Sequence, residues 1–154
     1  MPEYTSSYAK NIIKRSLREI IDPGPSKKEK QTIWDYFGSE CAYCGKRLHK
    51  GRREGHIDHL VPNGANQLYN RVLSCKECNG DEKRDKSWKR FLAQKRSNVK
   101  IKAKRKAKIL QWQKRHKKPI FRKGVLSKVE SLQDNVISYY ERNVEKARRL
   151  RNKR

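Results

Sequence analysis

Residues 41–45 read CAYCG and residues 75–79 read CKECN, so each stretch contains a Cys-x-x-Cys pair. In both stretches the second cysteine is followed by a residue common in turns, Gly45 or Asn79. Two sulfurs three positions apart can bind one ion from a tight turn, and two such turns complete the closed tetrahedral shell of a structural Zn²⁺ site. The spacing therefore predicts one structural zinc ion, bound by Cys41, Cys44, Cys75 and Cys78.

Four buried or redox-active thiols are the alternative to a zinc site. The segment between the two pairs carries few apolar residues, so core burial alone is a weak source of folding free energy there. Metal binding supplies that free energy in small modules of this kind. Because four sulfurs fill the shell, this zinc should hold the architecture together and leave chemistry to other residues.

The chain is strongly basic. Its 154 residues include 41 Lys and Arg against 16 Asp and Glu, which gives a formal charge of +25, and 34% of the residues are hydrophobic. A polyanion is the expected partner, since nucleic-acid phosphates take up such charge through counterion release. A solvated basic face or a membrane-surface patch would be the alternative use of this charge.

Membrane insertion is not expected from the sequence. There is no apolar run of about 18 residues, and the first ten residues, MPEYTSSYAK, lack the apolar core of a signal peptide. We therefore expect a cytoplasmic protein associated with DNA, in a reducing compartment where cysteines favour metal binding over disulfides.

Two helices are predicted before Cys41. In residues 8–25, YAKNIIKRSLREIIDPGP, the apolar residues recur at helical spacing until Pro23 forbids continuation. The second helix begins at a capping box formed by Ser26 and Glu29 and ends at Gly38. This second helix is expected to bury Ile33 and Phe37.

The chain after residue 87 is predicted to be helical and very basic. Trp88, Phe91, Leu92 and Val99 could pack at its start, whereas residues 101–118, IKAKRKAKILQWQKRHKK, have too few apolar positions for a clear buried face. We expect that stretch to lie on an anion or to be partly mobile. Trp112 could stack on a base or anchor the helix, and anchoring is slightly favoured.

The last predicted helix has an apolar stripe. Val125, Val129, Leu132, Val136 and Tyr139 follow one another at alternating steps of four and three residues. The stripe is compatible with a homodimer interface or with packing back on the same chain.

Between the cysteine pairs lies an ordered set of polar residues. Residues 56–62 read HIDHLVP, and Asn70 then leads into the apolar strand RVLSC that ends at Cys75. With Asn79 directly after the second pair, this arrangement resembles the HNH endonucleases, the zinc-knuckle branch of the ββα-metal nucleases. The resemblance covers roughly residues 41–86, under a third of the chain.

The resemblance implies an α+β fold. A small ββα-metal core stapled by a four-cysteine zinc site would be flanked by N-terminal helices and long basic C-terminal helices. The expected segments are residues 1–40, the nuclease core at 41–87 and the basic extension at 88–154, together forming one integrated domain.

The resemblance also assigns roles to individual residues. His59 would be the general base, and Asn70 would orient the loop that carries it. Asp58 and Asn79 would hold one catalytic Mg²⁺ or Mn²⁺ ion. Many members of the family have His where this chain has Asn79, which leaves one nitrogen ligand fewer.

The residue types suit these roles on general chemical grounds. A histidine can accept a proton at neutral pH, whereas a lysine is already protonated. Carboxylate and amide oxygens are hard ligands that fit Mg²⁺. His56 points to the same strand face as Asp58 and could approach the cation, although a partly exposed strand histidine is the favoured interpretation.

Several basic residues are candidate contacts to nucleic acid. Arg71 beside the site could meet a phosphate or face solvent, and phosphate contacts are also expected further along the chain. The candidates are Arg71, Lys83, Lys86, Lys104, Arg105 and Lys106.

The predicted function is a metal-dependent HNH endonuclease that hydrolyses DNA, most readily double-stranded, and leaves 5′ phosphates. A restriction or defence enzyme is the expected type. The alternative is a non-catalytic, zinc-stabilised nucleic-acid-binding protein, which explains the charge and the cysteines but not the set Asp58, His59, Asn70 and Asn79. RNA is a third substrate to consider, because phosphate contacts discriminate weakly between the two polymers.

Overall fold

The computed structural model of the protein describes residues 5–62, 64–118, 121 and 124–152. The helices are α1 (Ser6–Ile21), α2 (Lys27–Phe37), α3 (Trp88–Gln94), α4 (Val99–Arg115) and α5 (Val125–Arg151), with a π helix at Glu77–Lys83 and 3₁₀ turns at Lys50–Arg52 and Leu68–Asn70. The strands are β1 (Gly55–His59) and β2 (Arg71–Cys75). This composition confirms the predicted α+β class with a two-stranded sheet followed by a helix.

The chain divides into two compact units. One contains Met1–Pro23 with Ile120–Arg154, and the other contains Gly24–Pro119. This division differs from the three predicted segments, because α1 and α2 fall in different units and α4 belongs with the sheet. All the candidate site residues lie in the Gly24–Pro119 unit.

In the first unit, α1 packs along α5. The Lys10 ammonium donates to the Glu141 carboxylate at 2.8 Å, and the Gln133 side-chain amide donates to the Lys14 carbonyl at 2.8 Å. Val129 of the predicted α5 stripe is buried, so part of the stripe packs within the chain. It is only partly covered, since Leu132 and Val136 remain 54% and 44% exposed. Among the residues that the structure describes, no helix combines the length and apolarity needed to cross a membrane.

The second unit begins with α2, whose ends match the predicted signals. The Ser26 hydroxyl accepts from the Glu29 amide, and the Glu29 carboxylate accepts from the Ser26 amide. Gly38 ends the helix in the left-handed region at φ 64°, where a side chain would be strained. Ile33 and Phe37 are buried as predicted.

The sheet is a pair of antiparallel strands. Gly55 pairs with Cys75, Asp58 with Val72, and His59 with Arg71. This register ties the end of β1, which carries the polar pair, to the beginning of β2. It also brings the far end of β2 to the cysteine cluster.

The core of this unit gathers side chains from α2, β2, α3 and α4 and from the segments that connect them. It is built from Ile33, Trp34, Phe37, Ala42, Tyr43, Leu48, Leu60, Val72, Leu73, Trp88, Phe91, Leu92, Ile109 and Trp112, together with buried cysteines. The prediction that residues 88–92 seat a helix is confirmed by the burial of Trp88, Phe91 and Leu92.

Helix α4 packs into this core, so the expectation of a helix without a buried face is wrong. Ile109 and Trp112 lie three positions apart on one face and are fully buried. The Trp112 indole N–H donates to the Leu68 carbonyl at 2.9 Å, and the Tyr36 hydroxyl donates to the Lys108 carbonyl at 2.9 Å. Two large apolar side chains are enough to pack α4 against the core, although the helix contains few apolar residues.

We expect Trp112→Ala to lower the free energy of unfolding by about 3–5 kcal/mol, because it leaves a cavity and orphans the Leu68 carbonyl. Val99→Ala is the matched control on the same helix. Val99 was predicted to pack and is instead 80% exposed, so its change should stay within about 0.5 kcal/mol. Urea unfolding of both variants measures the difference. Equal values for the two would show that α4 is not packed.

Candidate active site and metal centre

Four sulfur atoms form a cluster at one end of the sheet. The sulfurs of Cys41, Cys44, Cys75 and Cys78 all lie within 4.8 Å of one another. The first pair sits in a turn in which the Gly45 amide donates to the Cys41 carbonyl at 2.9 Å. This arrangement meets the geometric requirement of a closed four-sulfur metal site, as the spacing predicts.

The thiols perturb one another strongly. Hydrogen bonds from Cys44 and Cys78 lower the pKa of Cys41. Cys78 donates hydrogen bonds to Cys41 and Cys44, and these bonds raise the pKa of Cys78. Burial raises the pKa of Cys75 to about 12. A metal ion binds the thiolate forms, so metal binding should release the protons that remain on the cluster.

The cysteine turn is covered by a residue of α4. The Arg105 guanidinium donates to the Cys41 carbonyl at 3.1 Å and lies over Gly45, where an added side chain would overlap it. Gly45 also has φ 79°, in the region that favours glycine. Arg105 was predicted to contact nucleic acid, but its half-buried guanidinium instead braces the cysteine turn against α4.

Asp58 near the end of β1 is buried, with 7% of its surface exposed. The Tyr43 hydroxyl donates to its Oδ2 at 2.7 Å, and the Lys83 ammonium lies 3.2 Å from the same oxygen. Burial raises the pKa of Asp58, although the hydrogen bond from Tyr43 and the charge of Lys83 oppose that shift. The Asp58 carboxylate therefore contacts a neutral donor, Tyr43, and a cation, Lys83, at a position almost closed to solvent.

Lys83 is the last residue of the π helix and is only 1% exposed. Besides Asp58, its ammonium donates to the His59 carbonyl at 2.6 Å. Lys83 was predicted to contact nucleic acid. In the structure its ammonium instead bonds Asp58 and the His59 carbonyl, since a buried lysine needs a partner inside the protein.

The His59 ring is held at both nitrogens. Its Nδ1 faces Arg71 Nη1 at 3.1 Å, and its Nε2 lies 2.9 Å from the Asn66 side-chain oxygen. A guanidinium can only donate, so the neutral ring must accept at Nδ1 and carry its proton on Nε2, which donates to Asn66. Arg71 also donates to that Asn66 oxygen at 2.6 Å.

Asn70 lies under the loop that follows His59. It is 3% exposed, and its Oδ1 accepts from the Val61 amide at 2.8 Å. Its Nδ2 donates to the carbonyls of Val61 and Ala65, each at 3.0 Å. Three hydrogen bonds from one buried amide fix the loop, and with it the direction in which the chain leaves His59.

The remaining candidates lie further from these contacts or at the surface. Asn79 follows Cys78 in the π helix and is half-buried, and its side chain makes no hydrogen bond within the part of the chain that the structure describes. Lys86 donates to a backbone carbonyl. Lys104 and Lys106 are exposed on α4, and His56 on β1 is half-buried.

The donor set fits a hard divalent cation. Asp58 offers carboxylate oxygens and Asn79 an amide oxygen, which are the ligand types that Mg²⁺ and Mn²⁺ accept while keeping several waters. The buried carboxylate already binds one cation, the Lys83 ammonium. These residues are therefore suited to a metal ion, provided that Lys83 yields its place.

Two residues at this site were not anticipated. Tyr43, inside the first cysteine turn, bonds Asp58, and Asn66, in the loop after β1, bonds both His59 and Arg71. A phenol between two metal-binding cysteines and an amide seven residues after a candidate base were visible in the sequence. Their roles depend on contacts with residues on other elements, which the sequence alone does not reveal.

Comparisons with known proteins agree with this geometry. A family model described as recombination endonuclease VII matches residues 15–96, more than half of the chain. The "SPbeta prophage-derived putative HNH endonuclease YoqL" of Bacillus subtilis (strain 168) is 33% identical over 96 residues. That alignment covers 56% of this chain and 40% of the relative, so the chain spans well under half of the relative's length. The family match extends from α1 to just past α3 and includes all the cysteines.

We expect the purified chain to carry one zinc ion and Cys75→Ser to lose most of it. Zinc contributes about 10 kcal/mol or more in small zinc modules, which is as large as the whole stability of a typical domain. The Gly24–Pro119 unit should therefore unfold in this variant. Elemental analysis and circular dichroism measure both effects. Lys46→Met, at the exposed surface beside the first cysteine pair, is the control. A zinc-free, fully folded wild type would contradict the assignment.

Asn70→Ala should lower the free energy of unfolding by about 2–3 kcal/mol, because it leaves the Val61 amide and two carbonyls without their partner. Amide hydrogen exchange should also become faster at Val61. An exposed amide on α4, Gln111→Ala, provides the control and should change stability by less than about 0.5 kcal/mol. Unchanged exchange at Val61 would mean that Asn70 does not hold this loop.

Proposed function

Because the chain belongs to the recombination endonuclease VII family, we propose that this protein is a metal-dependent endonuclease that hydrolyses phosphodiester bonds in DNA. The observation that carries the proposal is the state of His59. In the tautomer assigned from the two hydrogen bonds, Nε2 donates to Asn66 and Nδ1 carries the lone pair that can accept a proton. This lone pair stands one residue from a buried carboxylate.

In the proposed reaction His59 is the general base. Its Nδ1 would take a proton from the water that attacks phosphorus, and the Asn66 oxygen would stabilise the doubly protonated ring that results. Asn70 would keep the loop and His59 in place by its three hydrogen bonds. A base positioned in this way needs little reorganisation during the reaction.

The Asp58 carboxylate and the Asn79 amide would hold one Mg²⁺ or Mn²⁺ ion. When bound, that ion would supply positive charge to the transferred phosphoryl group and to the departing 3′ oxygen. Cleavage on that side leaves a 5′ phosphate. Zinc at the four cysteines would have a structural role only, because its coordination shell is filled by sulfur.

Arg71 covers the basic nitrogen in the present conformation. Its guanidinium must leave His59 Nδ1 before a water can reach that atom, and a phosphate oxygen arriving at the site offers it a stronger, charge-assisted bond. We assign Arg71 to the scissile phosphate. DNA binding would thus uncover the base.

Affinity for the polymer would come from the exposed lysines of α4. Lys104 and Lys106 are exposed on this helix, and Lys86 is half-exposed just before α3. Phosphate contacts of this kind give strongly salt-dependent binding without sequence reading. Duplex DNA is the proposed substrate, and RNA is the competing one.

Cutting both strands requires two active sites. The exposed part of the α5 stripe, where Leu132, Val136 and Tyr139 are 44–65% exposed, offers a surface for a second copy. We propose a homodimer for double-strand cleavage. A monomeric mass in solution together with nicking alone would count against it.

Restriction of, or defence against, foreign DNA is the setting that the sequence favours. The description of the family names recombination instead, and the curated relative is prophage-derived. The substrate separates these settings. Discrete bands from linear duplex would support restriction, whereas preference for branched DNA, the kind of structure that recombination creates, would support the other setting.

A non-catalytic nucleic-acid-binding protein is the second candidate function. One observation favours it, since Lys83 covers Asp58 and Arg71 covers His59 in this conformation. It gives no reason for a buried aspartate to be followed directly by a histidine that is bonded at both ring nitrogens.

We expect His59→Ala to reduce cleavage by about 10²-fold or more while DNA affinity stays within about threefold, because removing a general base affects the chemical step alone. The assay compares supercoiled plasmid, linear duplex, branched DNA and RNA, each with Mg²⁺ or EDTA. Binding is measured in parallel by fluorescence anisotropy.

Lys104→Ala with Lys106→Ala is the matched control, since it should weaken DNA binding and flatten its salt dependence while leaving Asp58 and His59 intact. Absence of cleavage by the wild type on every substrate with Mg²⁺ or Mn²⁺ would contradict the enzymatic proposal and leave the binding protein.

A further inference from the structure

The ion pair between Lys83 and Asp58 is the most unusual feature of the site. Both side chains are almost fully buried, with 1% and 8% of their surface exposed, and the ammonium lies 3.2 Å and 3.4 Å from the two carboxylate oxygens. A third bond, to the His59 carbonyl at 2.6 Å, completes the coordination of the ammonium by oxygen. Carboxylate and carbonyl oxygens are also the ligands that a small divalent metal cation prefers.

Two cations cannot share this carboxylate without strong repulsion. A divalent ion binds oxygen at about 2.0–2.1 Å, so an ion on Asp58 would stand within a few ångströms of the Lys83 ammonium. The site is buried, where charges are poorly screened by water and salt. The second oxygen donor, Asn79, belongs to the same π helix as Lys83. The ion and the ammonium therefore compete for one place.

We propose that the Lys83 ammonium occupies the place of the divalent cation on Asp58. The DNA-free protein therefore binds the divalent cation weakly. Its affinity for the cation rises when DNA phosphates draw Lys83 away from Asp58. The inference rests on the proposed function, because it assumes that Asp58 is the ligand of the catalytic ion. The consequence is an enzyme whose metal site becomes competent only on its substrate.

The backbone around Lys83 has an unusual conformation. Lys83 is the end of a seven-residue π helix, a conformation that is rare and concentrated at functional sites. The next residue, Arg84, has φ 46°, in the region that disfavours residues other than glycine. Both features raise the energy of the segment that keeps Lys83 on Asp58. By thermodynamic linkage, DNA that favours the released state must favour metal binding equally.

The test is the affinity for Mn²⁺, measured by titration calorimetry on the full-length, zinc-loaded chain without DNA. Lys83→Met removes the charge while keeping the length of the side chain, and we expect the Kd for Mn²⁺ to fall by about tenfold or more. Lys83→Arg keeps the charge and should leave binding weak. A Kd that is unchanged or higher in Lys83→Met would overturn the inference.

Tyr43→Phe is the matched control. It removes the other hydrogen bond to the same carboxylate oxygen but no charge, so the Kd for Mn²⁺ should change by less than about threefold. An increase in affinity as large as that of Lys83→Met would show that any lost contact frees the carboxylate, and the argument from charge would be wrong.

A second measurement does not depend on the folding of Lys83→Met. In the His59→Ala variant, which should not cleave, a short DNA duplex should lower the Kd for Mn²⁺ by about tenfold. Equal Mn²⁺ affinity with and without the duplex would overturn the inference even if Lys83→Met cannot be purified in folded form.

The Asp58→Asn variant distinguishes failure of the counter-ion role of Lys83 from failure of the proposed function. If Mn²⁺ still binds with wild-type affinity in Asp58→Asn, the catalytic ion is not on Asp58 and both proposals fall. If Asp58→Asn abolishes binding while Lys83→Met does not strengthen it, the metal site stands and the counter-ion role of Lys83 is rejected.

Discussion

The cluster of four cysteine sulfurs is the constraint on which the rest of the nuclease unit depends. It joins the turn before β1 to the end of β2 and to the start of the π helix. The turn carries Tyr43 and the π helix carries Lys83, while Asp58 lies on β1, which pairs with β2. The cluster therefore helps to position the two groups that bond the Asp58 carboxylate. A sheet of only two strands is marginal by itself, and the cross-link compensates for its size.

Around this cluster the polar groups form two connected sets. Asp58, Tyr43 and Lys83 make a buried ionic set, and His59, Asn66 and Arg71 make a partly buried set beside it. The Lys83 bond to the His59 carbonyl links the two. Each set ends in a cation that covers a reactive group. In the proposed mechanism, an anion such as a DNA phosphate would draw these two cations away from Asp58 and His59.

The sequence predicted the features that depend on local chemistry. The capping box of α2, its left-handed Gly38 and the two cysteine turns are encoded within a few residues, and each occurs where the pattern indicates. It failed where the outcome depends on a distant partner. Lys83 is buried because Asp58, on another element, neutralises it, and α4 is packed because one tryptophan and one isoleucine find a core among many lysines.

The anchoring of α4 by Trp112 has a consequence for where the nuclease unit ends. The family match ends at residue 96, before α4 begins. Nevertheless, the Trp112 indole of α4 donates to the Leu68 carbonyl, and Arg105 of α4 donates to the Cys41 carbonyl in the first cysteine turn. The border of similarity is thus not the border of the folding unit. Helix α4 therefore belongs to the same compact unit as Asp58 and His59. The lysines proposed to bind DNA and the residues proposed to cut it would act from a single folded unit.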